Sequence, residues 1–149
     1  METHRPQVLH PEAAMLRSRP SAIIVGTEAL RRAWWSTQIP TRPVVAVADA
    51  PPLPVSAHFV IEHRGPTWYA SVRHGRGYRP ITSRHASLEQ RAMPMLRPAW
   101  ALADMLSRSG WGACGLDPDD IDWAEVTERD RADWMRACAA FGLAPELAV

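Results

Sequence analysis

A chain of 149 residues, 46% hydrophobic and 22% charged, is long enough for one domain with its own core, and this composition excludes general disorder. The net charge of +1 argues against a protein that simply coats nucleic acid, and no run nears the roughly 20 apolar residues of a membrane-spanning helix. All seventeen basic residues are arginine, a bias that GC-rich coding explains before any function does, although the arginine fork also suits phosphate and carboxylate recognition.

Residues 1–20 read as a tail with room for a short helix, Pro11 to Ser18, started by its proline. They lack the apolar stretch of a signal peptide, so a cytoplasmic location is the expectation. Residues 21–149 are expected to form a single domain. It begins with a buried strand, "AIIV" (22–25), and a helix in "GTEALRRAWW", where Thr27 can cap and Glu28 falls in the first turn. One continuous helix from Ser21 to Thr37 is the alternative, with Gly26 costing about 1 kcal/mol. Pro43 to Ala48 reads as an edge strand followed by the stiff connection "DAPPLP".

"HFVIEHRGPTWYASVRHGRGYRP" (58–80) alternates on both sides of "RGP", which predicts a β-hairpin of about 56–63 and 67–74. Pairing His63 with Trp68 sets Ile61 against Ala70 and Phe59 against Val72 on an apolar face. His58, Glu62, Tyr69 and Arg73 then share the polar face. The histidines are dispersed, with His63 and His74 about 20 Å apart in this register, so no metal site is expected. The glycines of "HGRGYRP" have neither phosphate-loop nor dinucleotide spacing.

Ser87 with Gln90 is a capping-box pattern that predicts a short helix. A longer one follows from Pro98 to Gly110, with Leu102, Met105 and Leu106 on its apolar side. "WGACGLDPDDIDW" is a loop whose acids lack the central glycine of a calcium loop. The last helix lies in 127–142, capped by Thr127 with Asp130 and closed by Gly142. Trp134, Cys138 and Phe141 form its core stripe, and its acids and arginines decorate the other side. Cys114 and Cys138 have no zinc spacing and are expected to be reduced. The predicted fold is α+β, a small antiparallel sheet with a central hairpin packed against three or four helices.

Charge is segregated along the chain. Residues 58–85 hold five arginines and one acid, whereas 104–133 hold nine acids and three arginines. Together with seven tryptophans, of which Trp34, Trp35, Trp100 and Trp111 fit either the core or an interface, this predicts a small bacterial accessory protein, such as a phage or mobile-element inhibitor or adaptor. Such a protein acts by stoichiometric binding to a macromolecule. A protein partner comes first and a nucleic acid second; a second copy of the chain is also admitted, whereas a membrane or a cofactor is not expected. The candidate contacts are Arg64, Tyr69, Arg73, Arg76, Tyr78, Arg79 and Arg84. A metal-independent ribonuclease is the enzymatic alternative, with Glu62, Arg73 and His85 as its actors.

Overall fold

Ile23, Ile24 and Val25 have no polar side chain to turn towards water, and the strand they form, β1 (Ile23–Val25), is buried on both faces. It is the centre of a five-stranded sheet. The computed structural model of the chain describes residues 11–80 and 93–148. In chain order it contains α1 (Pro11–Ser18), β1, α2 (Thr27–Arg32), β2 (Val44–Val47), β3 (Val60–His63), α3 (Pro66–His74), β4 (Tyr78–Pro80), β5 (Pro94–Leu96), α4 (Pro98–Arg108) and α5 (Glu128–Phe141). The strand order is β3-β2-β1-β5-β4. The fold is α+β.

The sheet is mixed where an antiparallel one was expected. β1 runs antiparallel to β2 and β4 antiparallel to β5, but β2–β3 and β1–β5 are parallel. β2, expected at an edge, lies inside the sheet. Its prolines stand before and after the ladder residues Val44 to Val47, so none removes a donor from the strand.

The predicted hairpin is half strand and half helix. β3 occupies its first arm, while residues 66–74 of the second arm are α3. The reason lies in three local signals. Pro66 stands at the first helical turn, Gly75 ends the helix, and Trp68, Tyr69 and Val72 recur at helical spacing. The polar face proposed for His58, Glu62, Tyr69 and Arg73 therefore does not exist, because Tyr69 and Arg73 are on a helix. β5 is a short strand just before α4; the short helix expected from Ser87 and Gln90 starts outside the described residues.

Other elements match their sequence signals closely. α1 spans the predicted eight residues and buries Ala13 and Met15. α5 has the capping box of Thr127 and Asp130 and a left-handed Gly142 at its end. Its stripe packs inward, with Cys138 buried and Trp134 and Phe141 half-buried. Burial pushes the Cys138 thiol up to about 11, with a smaller push from Glu146. α2 is shorter than expected, and Thr27 is its first residue rather than its cap.

Buried charges tie the layers together. Glu28 accepts from Arg31 Nε at 2.7 Å and from Arg32 Nε at 2.7 Å, and Arg32 also reaches Glu12 at 2.6 Å. Burial opposes the Glu28 charge, but the hydrogen bonds and positive charge of Arg31 and Arg32 outweigh it and hold the carboxyl below its ordinary 4.5. A depressed folded-state value means stability that is present above the unfolded value and lost as pH falls through the folded one. Glu28→Gln should therefore be less stable than wild type at neutral pH. Denaturant melts should show that gap narrowing as pH drops below about 4; a gap independent of pH would contradict this role for Glu28.

Candidate functional site

The end of α3 builds the first wall of the site. Gly77 N–H donates to Val72 O at 2.8 Å and Arg76 N–H to Arg73 O at 3.2 Å, the paired bonds of a Schellman helix stop. That motif places Arg76 in the left-handed region, φ 53°, where glycine is the cheap residue. Glycines flank it instead. A Cβ on Gly75 would lie 2.3 Å from the Trp100 ring and one on Gly77 2.5 Å from it, so the flanking glycines make room for a fully buried indole. The arginine sits where the backbone would rather have glycine. Such strain, about 1 kcal/mol, is characteristic of functional positions.

α2 ends in the same way. Trp35 N–H donates to Leu30 O at 3.0 Å and Trp34 N–H to Arg31 O at 3.1 Å, which leaves Trp34 left-handed at φ 67°. Trp35 turns inward and is buried. Trp34 turns outward and is 77% exposed. A bulky aromatic residue in this conformation is an outlier, and its ring contributes little to the core.

α5 supplies the facing wall. Arg129, Asp133 and Arg136 recur at i, i+4 and i+7 and so share one helix face. Buried Asp133 accepts from Arg97 Nε at 2.7 Å and also from Arg136. Arg97 stands just before α4, where its N–H donates to Gly77 O at 2.7 Å, locking it beside the α3 turn. The result is a cleft of about 350 Å³ lined by His74, Gly75, Arg76, Arg97, Arg129, Asp133 and Arg136. Four arginines meet one carboxylate, and that carboxylate aims two of them. Arg76 and Arg129 form no ion pair among the described residues.

Arg97 and Arg129 also wall an adjoining hollow of about 460 Å³, together with Arg32, Trp34, Trp35, Arg79, Glu125 and Asp130 among others. One groove thus joins six arginines, two of them free of ion pairs in the first cleft, to an exposed tryptophan. Charge-assisted donors in planar forks beside an aromatic face can hold phosphates or carboxylates and stack a planar group.

No family model, curated protein or solved structure matches this chain.

The sequence-predicted contacts divide between this groove and the interior. Arg76 and Arg79 line the groove. Arg73 is exposed on α3, and Tyr78 is 37% exposed on the edge strand β4. Arg64 is buried instead: its Nη1 donates to Glu62 at 3.1 Å and its Nη2 to Asp104 at 3.4 Å, and its guanidinium lies 5.6 Å from the Trp68 ring centroid. Tyr69 donates to Ser21 O at 2.8 Å, and burial pushes its phenol up to about 12. These two residues brace β3, α3 and α4. Glu62 is engaged by Arg64 and, at 3.5 Å, by Arg108. Arg84 and His85 lie outside the described residues.

Arg32, Arg97, Arg129 and Arg136 are the groove arginines outside the predicted contacts, and Trp34 was left open between core and interface. The α5 face was visible in the spacing of Arg129, Asp133 and Arg136, yet such a stripe is equally that of a solvated helix face. Among the described residues no helix is long and apolar enough to cross a membrane, and no three His, Cys, Asp or Glu side chains are grouped to share a metal ion.

Proposed function

We propose that the protein is a stoichiometric binder of single-stranded nucleic acid, held along the arginine groove and stacked on Trp34. The observation that carries this reading is the convergence of Arg76, Arg97, Arg129 and Arg136 on a cleft with one acid. Bringing like charges together is unfavourable unless an anion occupies the space between them, and a polyphosphate backbone also gains by releasing its counterions. Trp34 favours nucleic acid over an acidic protein. An exposed indole held in a strained conformation offers a π-face to any base, whereas a run of carboxylates has no use for it. The small net charge fits a local groove rather than a coating protein.

The reading is tested by titrating a labelled single strand of about 15 nucleotides into wild type and Trp34→Gly. Glycine relieves the left-handed backbone and removes little packing, so the variant should melt at an equal or slightly higher temperature, by up to about 3 °C. Its affinity for the strand should fall about tenfold, as expected for one lost stacking contact. Unchanged affinity in Trp34→Gly would remove the stacking half of the proposal, and no binding of the strand by wild type would remove all of it.

A further inference from the structure

A third space adjoins the second hollow. It has a volume of about 460 Å³ and shares Trp35 and Asp130 with that hollow; its other walls include Leu102, Trp123, Val126 and Trp134. Unlike the arginine cleft it is largely apolar. The indole N–H of Trp123 donates to Pro118 O at 3.0 Å, and that of Trp134 to Pro145 O at 2.8 Å. Both donors are committed to backbone carbonyls, so these side chains offer the pocket ring surface rather than hydrogen bonds. The walls are also fixed in place: Asp122 N–H donates to Trp35 O at 2.8 Å, tying the 123–125 turn to the end of α2. A preformed space of this size, apolar and rich in tryptophan, suits a flat ring.

We infer that this pocket receives one base of the bound strand, splayed out of the stack while its phosphates stay on the arginines. The inference rests on the single-strand reading and adds to it a dependence on bases. Continuity decides the occupant. Trp34 and Trp35 are adjacent in sequence, and Trp35 walls both the second hollow and the pocket, so a strand crossing Trp34 lies one residue from the pocket wall. Unstacked bases held on aromatic side chains are a general mode of single-strand recognition.

The test compares two strands of equal length and charge, one with normal bases and one abasic throughout, on wild type and on Val126→Trp. Val126 is half-buried at the pocket wall, so a larger ring there fills the space with limited disturbance of the core. Wild type should prefer the base-bearing strand at least tenfold. Val126→Trp should lose about tenfold on that strand and nothing on the abasic one, with an unchanged salt dependence. A folded Val126→Trp that binds the base-bearing strand as wild type does would overturn the pocket assignment alone. Failure of wild type to bind either strand would overturn the single-strand reading and the pocket with it. If Val126→Trp does not fold, photocrosslinking of a bromouracil-bearing strand to wild type decides: adducts on Trp123 or Trp134 support the pocket, and adducts confined to other residues overturn it.

Discussion

Replacing Arg76, Arg129 and Arg136 together by glutamine is expected to lower affinity for a single strand at least a thousandfold while leaving the protein folded. Each arginine is a charge-assisted donor facing the cleft, and the loss of one such contact to phosphate costs about 1.5–3 kcal/mol. The structure predicts little loss of stability from the triple change. Arg76 is exposed and Arg129 forms no ion pair among the described residues, while the Arg136 side chain is 52% exposed, so its pair with Asp133 is well screened. Arg97 is left in place, because it remains the partner of buried Asp133. Losing three phosphate contacts should also flatten the dependence of log affinity on log salt by about 2. Equal binding by wild type and the variant across salt concentrations would show that the groove is not the contact.

Gly77→Ala is expected to be strongly destabilising. Neither Gly77 nor Gly75 has a positive φ, so backbone strain does not enter, and glycine to alanine would ordinarily stabilise slightly. The sign is decided by Trp100. The new methyl group would lie 2.5 Å from the ring of a side chain that is fully buried and packed edge-on against Phe141 at 5.6 Å. The ring has no room to retreat, so overpacking should cost about 3 kcal/mol, lowering the melting temperature by roughly 6–12 °C. In a Trp100→Phe background the same alanine should cost much less, because the smaller ring vacates the contested space. Equal costs in the two backgrounds would mean that the glycine serves some other purpose. Because Gly77 also anchors Arg97 through its carbonyl, Gly77→Ala should weaken binding as well.

Local chemistry was legible in the sequence where one signal stood alone. Thr127, Asp130 and Gly142 bound α5 because a capping box and a left-handed glycine have few alternative uses. Pro11 starts α1, and the apolar run 23–25 forms the central strand. Between residues 66 and 74 two periods competed. Trp68, Ala70 and Val72 alternate as a strand would, while Trp68, Tyr69 and Val72 also recur as on a helix. Pro66 and Gly75 decided for the helix, and the alternation was incidental. The mixed pairing of the sheet depends on which strands meet across the chain, which no local pattern records.

The site was only half legible for a similar reason. Arg76 and Arg79 stood out in a basic segment, but the arginines that complete the groove are Arg32 of α2, Arg97 and, from α5 in and beside the region with the most acid, Arg129 and Arg136. Asp104, Asp130 and Asp133 of that region are buried and paired within the fold, so its linear charge did not predict its surface. Conversely, Arg64 was counted among the surface arginines, yet Asp104 draws it into the interior. Net charge over a segment says little once several of its charges are consumed by folding. The sequence left Trp34 open between core and interface, because its exposure follows from the handedness of one residue at a helix stop.

The most direct test of the whole account is a matched titration of wild type with three polyanions at one moderate salt concentration: a single strand, a duplex and polyglutamate of equal charge. The groove and Trp34 predict that the single strand binds tightest, that the duplex binds more weakly because its bases are stacked away, and that polyglutamate is weakest. Polyglutamate binding as tightly as the single strand, or more tightly, would contradict a nucleic-acid groove and point to an acidic protein as the partner.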